Sequence, residues 1–107
     1  MLPINLHISS NGGDLIIGLA FYDYIKNNKY QINTYVDGYC ASAASLIFLG
    51  GKERFMSENS FIMIHQLSTL VMGTFSNVVD EYQNCNKLME KMKNIYRTET
   101  SIDEVTL

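Results

Sequence analysis

The chain has 107 residues, of which 47% are apolar and 18% are charged, so it is long enough for one modest folded domain and too apolar for an intrinsically disordered protein. Its formal net charge is −3, from 8 basic and 11 acidic residues. This balance argues against nucleic acid as a partner. The longest apolar stretch, CASAASLIFL, is interrupted by serines and is too short to cross a bilayer, so we expect no membrane partner.

Cys40 and Cys85 are isolated thiols without a C-x-x-C spacing. This usage is typical of a reducing compartment, and no targeting segment is recognisable in MLPINLHISSNGG. We therefore expect a cytoplasmic protein.

The first half of the chain alternates between strand and helix patterns. Residues 4–8 alternate apolar and polar side chains, as in a strand with one covered face. The turn residues SSNGGD follow, and Asp14 is placed to cap a helix whose apolar positions recur at helical spacing. Residues 32–38 predict a second strand.

The second half continues the alternation. Residues 42–49 are small and apolar and predict a buried helix, ERFMSENS predicts a short strand and turn, and FIMIH predicts another buried strand. A long amphipathic helix follows. Its apolar face is predicted to comprise Phe75, Val78, Val79, Tyr82, Cys85, Met89, Met92 and Tyr96. TETSIDEVTL predicts a turn and the start of a further helix.

Strands that alternate with helices indicate parallel strands joined by right-handed crossovers, in a single α/β domain spanning residues 1–107. The carboxyl ends of parallel strands share one edge of the sheet. Three features should converge at that edge: the SSNGGD turn, Ser42 at the start of the buried helix, and His65 at the end of FIMIH. Taken singly, each is more often structural than catalytic.

The order and spacing of the three features resemble one family. LHISSNGGDLIIGLAFYDYIK, GYCASAASLIFLGG and ERFMSENSFIMIHQ are similar to the corresponding segments of the proteolytic subunits of the Clp protease (ClpP), in unbroken order over most of the chain. The resemblance implies the layered spiral α/β fold that ClpP shares with crotonases. It also implies an ATP-dependent serine endopeptidase that cuts unfolded polypeptide inside a chamber of heptameric, stacked rings fed by an AAA+ unfoldase.

The same resemblance implies residue roles. Ser42 matches the nucleophile and His65 its general base, while the backbone N–H groups of Gly13 and Ala43 match the oxyanion hole. Leu67 and Thr69 fall in the strand that holds substrate. No cofactor is implied, and no carboxylate or thiol falls at metal-ligand spacing to either histidine, so we expect no metal.

The chain departs from the family pattern in several places. The family's third triad residue, an aspartate, is expected beyond Leu107, and Asp103 is left unassigned. The N-terminal pore segment of the family is missing, so the sequence reads as the middle of a ClpP-like subunit: a fragment, a divergent short form, or half of a split gene. Asn11 replaces the usual proline, and LSTLVMG lacks the glycine pair that normally follows the histidine.

Two other classes remain open. The chain could be a catalytically impaired ClpP-like subunit that keeps the fold for assembly. A crotonase-like enzyme acting on acyl-CoA would share the fold and two oxyanion N–H groups, but it would require neither Ser42 nor His65. The remaining aspartates, Asp23, Asp37 and Asp80, match no family acid and are interpreted as solvated or capping residues.

Overall fold

A computed structural model of the chain describes residues 2–65, 67–68 and 70–102. The chain forms two compact units, Met1–His65 and Gln66–Leu107. The first contains four strands and two helices, which are β1 (Ile4–Ser10), α1 (Leu15–Lys26), β2 (Ile32–Ala41), α2 (Ala43–Leu49), β3 (Arg54–Met56) and β4 (Phe61–Met63). The second contains one long helix, α3 (Phe75–Glu99).

The sheet of the first unit is built around β2, and every pairing in it is parallel. β1 pairs with one edge of β2, while β3 and β4 follow each other along the opposite edge. β3 pairs with residues 34–36 of β2, and β4 pairs with residues 39–41. The predicted parallel α/β class is therefore confirmed, and the carboxyl ends of β2 and β4 lie side by side.

A row of stacked rings crosses three strands on one face of this sheet. His7 of β1 lies opposite Tyr35 of β2, which lies opposite Phe55 of β3. The ring centroids of the first pair are 4.4 Å apart and those of the second are 4.7 Å apart. Aromatic cross-strand pairs stabilise a sheet beyond their buried area, so this row helps to hold the register of the three strands.

The helix α1 begins as the sequence predicts. The Asp14 carboxylate accepts hydrogen bonds from the N–H groups of Ile16 and Ile17, at 2.8 and 3.3 Å. These are two of the N–H groups that a helix start leaves without an intrahelical acceptor. The predicted capping role of Asp14 is confirmed.

The two helices of the first unit lie close together because small residues meet between them. A Cβ atom added to Gly18 of α1 would lie 3.0 Å from both the Cβ and the carbonyl oxygen of Ala43, the first residue of α2. The other end of α2 is tied to the sheet by the buried Thr34 hydroxyl, which donates to the Phe48 carbonyl oxygen at 2.6 Å. These contacts hold the start of α2 against α1 and its end against the sheet.

The structure corrects the predicted strands in extent and burial. β1 continues to Ser10 and β2 continues to Ala41, so both run further toward the glycine turn and the buried helix than predicted. β4 was predicted to be buried, but Phe61 and Met63 are 68% and 49% exposed. The reason is that β4 is a three-residue strand at the edge of the sheet, paired along one side with β2.

The long helix predicted for the second unit is confirmed, but its apolar face is not uniform. Thr74 caps α3 by accepting a hydrogen bond from the Asn77 N–H. Its apolar residues are exposed in the first half (Phe75, Val78 and Tyr82) and buried near the end (Met92, Ile95 and Tyr96). α3 continues to Glu99, into the segment predicted as a turn. The start of a further helix was predicted within TETSIDEVTL, of which residues 103–107 lie outside the described part of the chain.

Among the described residues, no helix has both the length and the apolar character needed to cross a membrane.

Replacing Asp14 with Ala removes the two capping bonds of α1, and we expect it to lower the free energy of unfolding by about 1 kcal/mol. D14N should cost less because the Asn oxygen accepts the same bonds. D23A, at an exposed aspartate of the same helix, is the control and should be nearly neutral. Urea denaturation measures all three, and equal stability of D14A and D23A would contradict the capping role.

Candidate active site

Ser42 has an unusual backbone conformation. Its φ and ψ angles are 54° and −122°, and among residues 2–65, 67–68 and 70–102 it is the one non-glycine residue with a positive φ. Such a conformation costs on the order of 1–3 kcal/mol and is found disproportionately at functional sites. Ser42 connects β2 directly to α2. A sharp strand-to-helix turn of this kind is how α/β-hydrolases expose their nucleophilic serine.

Hydrogen bonds hold this turn on both sides. The Ser42 N–H donates to the carbonyl oxygen of Met63, the last residue of β4, at 2.9 Å. The Ser42 carbonyl oxygen accepts from the N–H of Ser45 at 2.9 Å and from its hydroxyl at 2.5 Å. Ser45 is completely buried, and the side chain of Ser42 is half-buried. The strained residue is therefore anchored to the sheet on one side and to the helix on the other.

The glycine turn after β1 packs against Ser42. Gly12 has a φ of 103°, and a Cβ atom added to it would lie 2.7 Å from the Ala41 carbonyl oxygen and 3.0 Å from the Ser42 Cβ. Only glycine therefore fits at this position. The Gly12 N–H donates to the Ser10 hydroxyl at 3.1 Å, and this bond engages one of the two glycine N–H groups.

Gly13 and Ala43 line a common pocket beside Ser42. The pocket has a volume of about 140 Å³, and its apolar walls include Ile8, Ile17 and Ile47. No atom lies within 4 Å of a Cβ added to Gly13, so the space in front of this residue is open. Ala43 is the first residue of α2, where N–H groups have no intrahelical acceptor. The two residues predicted to form an oxyanion hole are thus brought together beside the predicted nucleophile.

The pocket is of a size that can hold one apolar side chain. An apolar cavity of about 150 Å³ in another protein binds benzene, so 140 Å³ accommodates a group of comparable volume. A substrate group bound there would lie next to Gly13 and Ala43.

The two histidines of the chain differ in their access to Ser42. His7 pairs with Asp37, with Nδ1 at 3.0 Å from a carboxylate oxygen, so Asp37 is not merely a solvated residue. However, His7 lies opposite Tyr35, seven residues before Ser42 along β2, which corresponds to roughly 23 Å at 3.3 Å per residue. This separation excludes His7 as the base for Ser42.

His65 is better placed than His7 to act as the base for Ser42. It lies two residues beyond Met63, whose carbonyl oxygen accepts the Ser42 N–H, and neighbouring strands are about 4.8 Å apart. His65 is exposed. The chain therefore passes beside Ser42 immediately before it reaches His65.

Cys40, two residues before Ser42, is excluded as an alternative nucleophile. Burial, with a smaller contribution from the Asp37 carboxylate, raises the pKa of its thiol from 9.0 to about 11. The side chain is completely buried and its Sγ contacts the Ile8 carbonyl oxygen at 3.8 Å. The thiolate is the reactive form of cysteine, so Cys40 is inert near neutral pH.

Of the two residues predicted to contact substrate, the structure describes one. Leu67 belongs to the second unit, where it is half-buried and its N–H contacts the Met89 sulfur at 3.3 Å. Thr69, predicted to contact substrate, and Asp103, left unassigned, lie outside the described residues. In the described ranges, no three His, Cys, Asp or Glu side chains come together in a group that could hold a metal ion.

Known proteins include relatives of this chain. The sequence model of the Clp protease family matches residues 2–107. The chain belongs to the Clp protease family. It is 37% identical over 110 residues to the ATP-dependent Clp protease proteolytic subunit of Bdellovibrio bacteriovorus, covering 98% of this chain and 52% of that protein.

Two further Clp protease relatives give the same result. Subunit 2 of Treponema denticola is 34% identical over 104 residues, covering 95% of this chain and 52% of the relative. The subunit of Pleurastrum terricola is 35% identical over 97 residues, covering 89% and 50%. The chain thus spans about half the length of the curated relatives it matches.

Sequence reasoning missed two serines that bond the turns of the candidate site. Ser45 bonds the carbonyl of Ser42 and Ser10 accepts from the glycine turn. The spacing S-A-A-S at the start of a helix was a usable signal for Ser45, because serine hydroxyls often bond a backbone carbonyl three or four residues earlier. The sequence signal for Ser10 was weaker, because serine is common in turns whether or not its hydroxyl bonds the backbone there.

Replacing Gly12 with Ala should lower stability by more than the roughly 1–2 kcal/mol expected for a Cβ at a positive φ, because the new methyl group would press on Ala41 and Ser42. Gly38 is the matched control, since it also has a positive φ, of 83°, but open space around it. In urea denaturation, G38A should lose only the roughly 1–2 kcal/mol that a Cβ at a positive φ costs. Equal losses in the two variants would contradict the close approach at Gly12.

The raised pKa of Cys40 predicts a loss of stability at high pH. Below pH 9 the thiol is neutral in both states, whereas between pH 9 and about 11 it ionises in the unfolded chain but not in the folded one. Stability should therefore fall with rising pH in this window, by up to about 3 kcal/mol. Denaturation curves of wild type and C40A from pH 8 to 11 test this, and identical slopes would contradict it.

Proposed function

We propose that this chain carries the nucleophile and general base of a Clp-type serine endopeptidase, with Ser42 as nucleophile and His65 as base. The observation that carries the proposal is the strained conformation of Ser42, held between the glycine turn and the end of β4. Strained backbone conformations cluster at active sites and persist only where their surroundings maintain them, so the strain at Ser42 supports a functional role.

The proposed reaction follows from the chemistry of these groups. His65 takes the proton of the Ser42 hydroxyl as its oxygen attacks the peptide carbonyl. The N–H groups of Gly13 and Ala43 stabilise the negative charge on the tetrahedral intermediate, and losing one such donor costs roughly 3 kcal/mol of barrier. His65 then gives the proton to the leaving amine, and water hydrolyses the acyl-enzyme by the same route.

The substrate and assembly are proposed from family membership. The substrate is an unfolded polypeptide, whose extended backbone lies along the segment that contains Leu67 and Thr69. Self-association into heptameric rings, stacked in pairs, would enclose the sites in a chamber in the cytoplasm. The three relatives are named as proteolytic subunits of an ATP-dependent Clp protease. The sequence contains no nucleotide-binding loop, so an AAA+ unfoldase would supply the ATP hydrolysis.

Labelling with a fluorophosphonate, which acylates activated serines, tests the assignment of Ser42. The wild-type protein should be labelled and S42A should not be, because the attacking oxygen is gone. S76A, at an exposed serine of α3, is the control and should be labelled like wild type. Equal labelling of wild type and S42A would refute the proposal.

The two histidines provide a matched pair for testing the base. H65Q should slow labelling by about 100-fold or more, the usual contribution of a positioned general base. H7Q should have little effect, because His7 lies far from Ser42 along β2. If H7Q and H65Q slowed labelling equally, His65 would lose its assignment as the base.

A second candidate, a subunit that keeps the fold only for assembly, is separated by the same experiment. It predicts large rings by size-exclusion chromatography with light scattering, together with no labelling of the wild-type protein. The proposed protease predicts labelling that depends on Ser42 and His65.

A further inference from the structure

We propose that Ser45 is a positioning residue that holds Ser42 in its reactive conformation. This inference rests on the proposed function of Ser42 and adds a residue to which neither the sequence pattern nor the family resemblance assigned a role. It concerns how the nucleophile is presented and not the chemistry of the bond that is cleaved.

Two bonds from one residue converge on the strained peptide. The N–H and the hydroxyl of Ser45 both donate to the carbonyl oxygen of Ser42, at 2.9 and 2.5 Å. Since a carbonyl oxygen has two lone pairs, Ser45 can occupy both of them. The orientation of this carbonyl is coupled to the ψ angle of Ser42, which is −122°.

The surroundings of Ser45 make this contact rigid. Ser45 is completely buried, as is Leu46 beside it, so its hydroxyl cannot exchange the carbonyl for bulk water. On the other side of the turn, the Ser42 N–H is bound to the Met63 carbonyl oxygen. Both peptide groups flanking the Ser42 Cα are therefore fixed, and with them the direction in which its Cβ leaves the backbone.

A residue without the hydroxyl would weaken one of these restraints. In S45A the Ser42 carbonyl keeps the N–H bond but loses the shorter of the two, so the strained φ and ψ angles are held less firmly. Misplacement of a reacting group by about 1 Å can cost 100-fold in rate. The hydroxyl of Ser45 therefore acts on the reaction through the geometry of Ser42.

Thr34 offers a matched control for this hypothesis. Its hydroxyl is also completely buried and also donates to a backbone carbonyl of α2, that of Phe48, at 2.6 Å. T34V removes this bond at the far end of the same helix. A loss of helix stability would thus be shared by S45A and T34V, whereas a loss of Ser42 geometry would be specific to S45A.

The test measures the second-order rate of fluorophosphonate labelling in the purified protein, with stability measured in parallel by urea denaturation. S45A should be labelled about 10- to 100-fold more slowly than wild type, and T34V should be labelled at nearly the wild-type rate. S45T should recover most of the rate, because a helical threonine can make the same bond to an earlier carbonyl. A wild-type rate in S45A, or an equal loss in T34V, would overturn the proposal.

A spectroscopic measurement separates failure of this inference from failure of the proposed function. The ¹³Cα and ¹³Cβ resonances of Ser42, assigned by their loss in S42A, report its backbone angles whether or not the protein is labelled. They should shift in S45A and stay in place in T34V. If wild type is not labelled but this pattern holds, the positioning role stands without catalysis; unchanged resonances in S45A overturn it.

Should S45A fail to fold, S45C replaces it, because a thiol has similar size and is a weaker donor. S45C should be labelled several-fold more slowly than wild type, a smaller loss than the one expected from removing the hydroxyl altogether. The Ser42 resonances should shift correspondingly less. A wild-type rate with unmoved resonances in S45C would overturn the proposal.

Discussion

The hydrogen bonds of the two peptide groups that flank Ser42 hold the candidate site together. The residue adopts angles that side chains with a Cβ rarely tolerate, and it does so because its N–H is bound to β4 and its carbonyl to α2. The glycine turn can approach only because Gly12 has no side chain. Three segments that are distant in the sequence therefore meet at one strained residue. The pocket lined by Gly13 and Ala43 lies where two of them, the glycine turn and α2, come together.

Much of the fold could be predicted from the sequence because it depends on local patterns. The alternation of residues 4–8, the capping position of Asp14 and the small apolar helix after Ser42 each reflect a short-range preference that the structure confirms. The parallel arrangement followed from the order of strands and helices. From these alone, the approach of the glycine turn to Ser42 was predicted as a convergence at one sheet edge.

The rest could not be predicted because it depends on contacts across the fold. Nothing local to FIMIH shows that β4 pairs with β2 along one side only, so an apolar run that is typical of a buried strand was wrongly predicted to be buried. The pair of His7 and Asp37 joins residues on different strands. The positive φ of Ser42 depends on partners at Met63 and Ser45, and no propensity of serine would suggest it.

The short, exposed strand β4 has a consequence for how such a site would fail. Only three residues of β4 pair with β2, whereas Ser42 joins a ten-residue strand to a packed helix. Local opening is cheapest where few contacts are lost. The segment that leads to His65 is therefore the part of the sheet that opens most easily, and its opening breaks the bond between the Met63 carbonyl oxygen and the Ser42 N–H. Amide hydrogen exchange should begin at this edge, so the restraint on Ser42 is lost before the rest of the first unit unfolds.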